Sequence, residues 1–342
     1  MNSTKVAVVI LNWNGEHFLK KFLPTLIKNT PKYEVEIVVA DNGSSDGSLR
    51  VLIDYPSVRT ILLDKNYGYT GGYNRALSQV EAQYYVLLNS DIEVTSGWLE
   101  PMVAFMDKNP QVAACAPKLI DFNRRHCFEY AGAAGGFIDL FGYPFCRGRI
   151  LSEIEVDKGQ YDTVMPIFWA SGACMMLRSS CFWEVGGFDD DFFAHMEEID
   201  LCWRLQNQGY SVYSVPQSVV YHVGGGTLPN NNPFKLYLNY RNNLSMLHKN
   251  LSLRALYVVL PVRFFLDILS AMIYLANGKI SFMKSVFKAH RHYFRCISML
   301  NSKRRLLKPK KHASRYRGLI VVDFFILRRR KFSRLPIPVD KY

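Results

Sequence analysis

Seven cysteines in 342 residues are an odd number, and no two of them have Cys-x-x-Cys spacing. That pattern argues against a disulfide framework or a cysteine zinc site and fits a reducing cytosol. No internal repeat is visible. Met1 to Lys5 lead straight into an apolar strand, so no secretory leader is expected. The apolar stretch 251–275 is cut by Arg254, Pro261, Arg263 and Asp267. It therefore contains no charge-free run of the ~18 residues expected of a membrane-spanning helix. Acidic residues are scarce at one end: from Lys279 to Arg334, 18 Lys/Arg face the single acid Asp323, a net +17. The remainder holds 24 basic and 28 acidic residues, a net −4. A mildly acidic body with a strongly basic tail seeks a polyanion, either an anionic membrane surface or a nucleic acid.

What is present is a strand–loop–helix repeat. Val6–Leu11 reads as a strand buried on both faces, 16–29 as a helix, and 36–40 as a second strand. A third strand is expected near 60–63, a glycine-rich loop over 65–72, a helix over 73–82 and a fourth strand over 84–88. This order specifies a mostly parallel α/β sheet with right-handed crossovers. From 117 to 166 glycine turns and short aromatic strands are expected, then a strand opening at 168–173 and a helix over 196–207. Strands over 209–215 and 218–223 follow, and after Pro233 the pattern is helical. We divide the chain into an α/β domain, 1–235, and a helical basic region, 236–342.

Each strand of the first half ends in polar residues, and these gather along one sheet edge, where α/β folds bind ligands. Asn89 and Asp91 leave the same face of an extended chain, and oxygen ligands at such an edge suit a hard cation that also holds phosphates. Asp41 has two readings, an acceptor for a pyrimidine or ribose group, or an Asx turn. The segment Asn66–Asn74 is not a Walker loop and lacks Gly-x-Gly-x-x-Gly. Its adjacent Gly71 and Gly72 still permit close backbone approach to a ligand. In His195–Arg204, Asp200 and Arg204 form an i, i+4 pair, with Glu197 on the same face as a structural seam. Glu198 points elsewhere and is a candidate general base, or a solvated acid at a helix start. His222 is a candidate metal ligand paired with Asp91, or a structural histidine. The glycine run after it, 224–226, is a candidate substrate-closing loop.

In this order the motifs resemble the family 2 glycosyltransferases, inverting enzymes of the GT-A fold, in their bacterial rhamnosyltransferase-like branch. The resemblance covers about residues 5–245. It rests on the opening strand ending at Asn12-Trp13-Asn14-Gly15, the turn Asp41–Gly47, and the N-x-G-x-x-G-G-x-N loop from Asn66. It continues through Asn89-Ser90-Asp91 in the place of D-x-D, Phe192–Arg204 as the base-bearing stretch, and Tyr240-Arg241-Asn242. The resemblance implies a GT-A domain that binds a nucleotide sugar through Asn12, Asn14, Asp41, Asn66, Gly71, Asn89 and Asp91. It implies Mg²⁺ or Mn²⁺ on Asp91, and Glu198 as the base, with Glu197 as fallback because Glu198 stands where the family has Asp. Trp169 and Gly172 fall in the acceptor region, where Trp169 is either a sugar-stacking surface or a core side chain.

The expected reaction is transfer of a sugar from a nucleotide donor, with dTDP-rhamnose the first candidate, to a saccharide in cell-surface polysaccharide synthesis. The basic tail, with its apolar runs, reads as helices lying in the headgroup plane. That suits a lipid-linked acceptor and a peripheral place at the cytoplasmic face of the membrane. A nucleotidyltransferase would want a basic glycine-rich loop after the first strand, where this chain has Asn12–Glu16. A catalytically inactive carbohydrate-binding relative would carry the same motifs without turnover. A nucleic-acid-binding protein would use the basic tail, but no nucleic-acid motif accompanies the charge.

Overall fold

The computed structural model describes residues 4–224, 231–307 and 315–337. The chain opens with β1 (Val6–Asn12), α1 (Glu16–Asn29), β2 (Val35–Asn42), α2 (Ser48–Ile53) and β3 (Arg59–Leu63). Then come α3 (Gly68–Leu77), β4 (Tyr84–Leu88), β5 (Ile92–Val94), α4 (Glu100–Lys108) and β6 (Val112–Asp121). Strands β3, β2, β1 and β4 lie side by side, all parallel. Ala7 and Val9 enter the core on one face of this sheet, while Val6, Val8 and Ile10 enter the core on the other. That is why the strand reads as one unbroken apolar run.

Short strands follow: β7 (Gly136–Ile138), β8 (Pro144–Cys146), β9 (Arg149–Ile150), β10 (Glu153–Ile154) and β11 (Met165–Pro166). Strands β7 to β10 form a separate 4-stranded antiparallel sheet. The large sheet is completed by β12 (Cys174–Arg178), which is antiparallel between β4 and β6, and by β13 (Ser211–His222) on the far side of β6. Helices α5 (Ser179–Glu184) and α6 (Glu197–Asn207) lie between these two strands in sequence. The last described elements are α7 (Pro233–Asn250), α8 (Leu253–Ala276), α9 (Ile280–Leu307) and α10 (Ile320–Phe325). The expected division at 235/236 falls in the first turn of α7.

The elements depart from the sequence reading in three places. The strand expected at 168–173 begins only at Cys174, because Phe168 and Trp169 spend their backbone groups on Gly136 and a turn closes from Ser171 to Cys174. The two strands expected over 209–223 are one, β13, with a break in register between Ser214 and Val219. Helix α3 starts at Gly68, so Gly71 and Gly72 lie inside it; a Cβ on Gly72 would meet the Leu11 side chain at 2.8 Å. Helix α8 meets a length-and-composition criterion for a membrane span that tolerates two charges, with only 28% of its most apolar window buried, and Arg263 and Asp267 interrupt its apolar run as the sequence reading has it.

Candidate active site

The carboxyl ends of β1, β2 and β4 meet where the strand order reverses, the place at which such sheets form a ligand crevice. In the first corner Asn12 donates to Asp41 Oδ1 at 3.2 Å and to Ser44 Oγ at 3.3 Å, and Asp41 Oδ2 accepts from the Ser44 N–H. Asp41 thus closes a local turn onto the N–H three residues on, and its carboxylate still has lone pairs for a further donor. Asn14 sits at φ 50° and accepts from the Ser45 N–H at 2.7 Å, fastening the β1 loop to the β2 loop. Asn42, which sequence reasoning passed over, ties in the next corner. Its amide reaches Asn66 Oδ1 and the Gly68 carbonyl, and its oxygen accepts from the Tyr67 N–H. Asn66 in turn accepts from the Gly68 N–H and fixes the start of α3. Gly71 follows, buried in that first turn.

Below β4, Asn89 is half-buried and donates its backbone N–H to Ala173 at 2.9 Å, while Asp91 is buried. Asp91 Oδ1 lies 3.2 Å from His222 Nε2, and Oδ2 accepts from the Gly224 N–H. The other ring nitrogen, His222 Nδ1, is 3.2 Å from Glu129 Oε1. Burial opposes protonation of His222, but Glu129 and Asp91 outweigh it and lift its pKa to about 10. Burial likewise works against the Asp91 carboxylate, and the His222 ring overcomes it. Glu129 was not singled out in the sequence, since it lies between the recognisable motifs and only the fold brings it to His222.

Asp91 and His222 are two candidate ligands for a divalent ion, which the His222 ring would join only on losing the proton its carboxylate neighbours hold there. Among the described residues no cluster of three His, Cys, Asp or Glu side chains stands ready for a metal. Two cis ligands of an octahedral Mg²⁺ stand about 3 Å apart, close to the Asp91–His222 separation. A carboxylate behind the distal ring nitrogen is the usual support of a ligating histidine. The glycine run proposed to close over substrate lies, beyond Gly224, outside the described residues.

The base-bearing stretch enters α6 through a strained turn. Phe193, His195 and Met196 all have positive φ, at 64°, 71° and 69°. Such residues cost of order 1–3 kcal/mol each and persist where surroundings enforce them. Here the Tyr69 N–H donates to the Phe193 carbonyl at 2.7 Å, and Arg241 donates to the Asp191 and Phe192 carbonyls. Asn242 completes the clamp from α7.

Beyond the turn, Asp200 is fully buried and bonded by Arg204, Lys249 and Asn250. Glu197 does not join this seam as the sequence reading expected. It is buried beside Glu198, whose charge acts on it. Burial lifts the Glu198 carboxyl to about 7, and burial first, then Glu198, lifts Glu197 well above the usual range.

Gly172 joins the two halves of the crevice. A Cβ on Gly172 would stand 3.8 Å from Glu198 Cβ and 2.7 Å from the Tyr69 hydroxyl, which donates to the Gly172 carbonyl. Its neighbour Ala173 carries the Asn89 hydrogen bond, and the Cys146 thiol feels both the Glu129 and the Glu198 charge. Asn12 Oδ1, His195 Nε2, Glu197 Oε2 and Glu198 Oε2 are buried atoms that bond no described protein group. Buried polar atoms of this kind call for a ligand or water. Trp169 is not part of the crevice. It is 3% exposed, its indole N–H donates to the Phe137 carbonyl, and its ring fills the space a Gly136 side chain would take. Of its two readings, the core side chain holds.

A mostly parallel sheet that reverses its strand order at β1 and β4, gathers polar residues at the carboxyl ends of those strands, and carries one antiparallel strand between β4 and β6 is the plan of the GT-A fold. The Glycosyl transferase family 2 model matches residues 7–186, more than half of the chain, and the chain belongs to that family. It is 27% identical over 234 residues to the N-acetylglucosaminyl-diphospho-decaprenol L-rhamnosyltransferase of Mycobacterium tuberculosis, covering 63% of this chain and 75% of that one. The dTDP-rhamnosyl transferase RfbF of Shigella flexneri is 24% identical over 298 residues, covering 83% and 93%. Among solved structures, Staphylococcus aureus TarS 1-349 with UDP-GlcNAc superposes with a TM-score of 0.56 at 18% identity, covering 89% of this chain and 86% of that one. GalNAc-T7 with UDP, GalNAc and Mn²⁺ has a TM-score of 0.58 at 18% identity, covering 73% of this chain and 48% of that one. These two likenesses show the fold. The family places the chain among enzymes that transfer sugars, and the relatives named here are rhamnosyltransferases.

Proposed function

We propose that the chain transfers a sugar, with inversion at the anomeric carbon, from a nucleoside-diphosphate donor to a lipid-linked saccharide. The observation that carries this reading is Glu198, a carboxylate poised near neutrality at the α6 start and seated on the Gly172–Ala173 segment that also holds the end of β4. The catalytic unit is residues 1–235. Asn12, Asn14 and Asp41 receive the nucleoside, and Asn66, Gly71 and the α3 start face the donor. Asn89 and Asp91 stand at the diphosphate. Asp91 and His222 would hold Mg²⁺ or Mn²⁺, with Glu129 orienting the ring; the bound ion supplies charge neutralisation for the departing diphosphate.

Glu198 accepts the proton of the acceptor hydroxyl as the hydroxyl oxygen bonds to the anomeric carbon. The bond from that carbon to the diphosphate breaks, and the nucleoside diphosphate leaves with the electron pair. Glu197, held neutral, keeps a second negative charge away from the base. Support for dTDP-rhamnose as donor and a polyprenyl-linked acceptor comes from the named activities of the mycobacterial and Shigella relatives. Such an acceptor brings the enzyme to the cytoplasmic face of an anionic membrane, with the basic helices as the attachment.

The test is a panel of nucleotide sugars with Mg²⁺ or Mn²⁺, scored by thermal shift and by released nucleoside diphosphate. Stabilisation and release with one donor supports the reading. Binding of a sugar without release under any metal reduces the chain to a carbohydrate-binding relative.

A further inference from the structure

Helix α8 is built inside out for a soluble helix. Its buried stripe is Leu256, Val259, Arg263, Asp267 and Ala271, so the charged residues face the protein. Arg263 pairs with Asp267 at 3.3 Å and lies over the Tyr143 ring at 3.8 Å, and Asp267 also meets His290 of α9 at 3.2 Å. The outward stripe is apolar: Tyr257 is 77% and Phe265 68% exposed, and Leu269, Met272 and Ile273 stand open beside them. From 255 to 276 the charged residues are Arg263 and Asp267 alone, both buried. The exposed side is therefore a charge-free face of about 33 Å at 1.5 Å per residue. An exposed apolar face of this size marks an interaction site.

The flank of this face identifies its partner. Between 251 and 307 there are ten Lys/Arg and one acid, the buried Asp267. Lys284, Lys288, Arg291 and Arg295 recur on one side of α9, with Phe287 and Phe294 open beside them. Phe294 stacks on Phe264 of α8 at 5.2 Å, so the basic helix and the apolar helix are one surface. An apolar strip edged by unopposed cations complements acyl chains below anionic headgroups. A second copy on the same face would bring cation against cation. A nucleic acid would leave the apolar strip unused.

We infer that α8 lies in the plane of an anionic bilayer, its Tyr257–Ile273 side in the acyl boundary and the α9 cations at the headgroups. This deepens the proposed membrane attachment, on which it rests. A crossing orientation is disfavoured by the inward stripe, since it would carry Arg263 and Asp267 into hydrocarbon and tear Arg263 from Tyr143.

Flotation of the full chain with phosphatidylcholine vesicles, with and without a quarter of phosphatidylglycerol, tests the inference. The expected result is partition that requires phosphatidylglycerol and is stripped by alkaline carbonate. The double substitution Phe265→Glu, Met272→Glu, on exposed sites, should lower partition at least tenfold with an unchanged melting curve. Unchanged partition of that variant overturns the inference, as does wild-type protein that resists carbonate. Conversion of a dimer to a monomer by the substitutions, with vesicle partition unaltered, also overturns it. Sugar transfer to a water-soluble acceptor, read as released nucleoside diphosphate, is measured in parallel. If wild type turns over donor but ignores anionic vesicles, the docking surface falls and the transferase reading stands. Vesicle partition without turnover supports the surface and removes the transferase reading.

Discussion

The side-chain amide of Asn242 donates to the His195 carbonyl at 2.7 Å, and the same nitrogen reaches the Ala194 and Phe192 carbonyls at 2.8 and 3.0 Å. Its oxygen accepts from Arg241 Nε at 2.7 Å, which fixes which way the amide faces. Three carbonyls of one strained turn are thus gathered on a single side chain from α7. Glu198 follows that turn by three residues, so its position depends on the clamp. We expect Asn242→Asp, which places a carboxylate against the carbonyls, to lower kcat by about 10²-fold, the scale of a misplacement of about 1 Å. The donor KM should move far less, because Asn242 touches no donor-side residue. Steady-state kinetics with a melting curve checks this. A fall in melting temperature with kcat unchanged would make the clamp purely structural.

Glu198 can act as a base only when ionised, and burial places its pKa at about 7. Turnover should therefore rise about tenfold per pH unit below that value and level off above it. Glu198→Gln should cost roughly 10²-fold or more in kcat and flatten the rise. A pH–rate profile of both proteins, at saturating donor and metal, decides this. Retention of the limb in the variant would pass the role to Glu197.

Glu197 predicts a different pH signature. Burial, then the Glu198 charge, holds its folded pKa well above 4.5. A carboxyl shifted upward in the folded state contributes stability fully below its unfolded pKa, and that contribution is lost as pH rises through the folded pKa. Glu197→Gln has no charge to bury. Its melting temperature should match the wild type near pH 4 and exceed it by a margin that grows toward pH 8. A margin independent of pH would refute the buried-carboxyl account.

Much of the fold and site was legible in the sequence, for physical reasons. Strands β1, β2 and β4 are buried on both faces and end in polar residues, so their apolar runs and stop points show without coordinates. Asp200 and Arg204 pair along one helix, and i, i+4 spacing announces that. The rest required contacts between distant segments. Glu129 and His222 are 93 positions apart in the chain, and no local pattern joins them. Asn42 follows Asp41, whose side chain attracts the functional reading, yet Asn42 does the bonding to the glycine segment. Glu197 has the helical spacing of the Asp200 seam, but Lys249 and Asn250 arrive from α7 to satisfy Asp200 and leave Glu197 with Glu198. Helix α8 hides its open face for a related reason: Arg263 and Asp267 interrupt the apolar run by sequence, and both fall on the buried side.

Trp169 separates a core tryptophan from a sugar platform. Its ring occupies the space over Gly136, and its N–H is spent on Phe137. Trp169→Ala should cost about 3–5 kcal/mol of stability, as large-to-small core substitutions do. Urea unfolding measures that cost. A variant of near-wild-type stability with a raised acceptor KM would return Trp169 to the acceptor site.

The Asp91–His222–Glu129 chain yields the last expectation, which separates a ligand from its support. Asp91→Ala removes an oxygen at the diphosphate edge and should abolish metal-dependent donor binding. Glu129→Gln leaves both candidate ligands in place and removes the carboxylate behind the ring. Loss of such support weakens metal affinity by about 10–100-fold. Calorimetric titration with Mn²⁺ and a nucleoside diphosphate should therefore show no metal-linked binding for Asp91→Ala and weakened but saturable binding for Glu129→Gln. Added Mn²⁺ should restore turnover in Glu129→Gln and fail to do so in Asp91→Ala. Equal, unrescuable losses in both variants would mean that the three side chains serve as a buried ion-pair network, with the cation held elsewhere in the crevice.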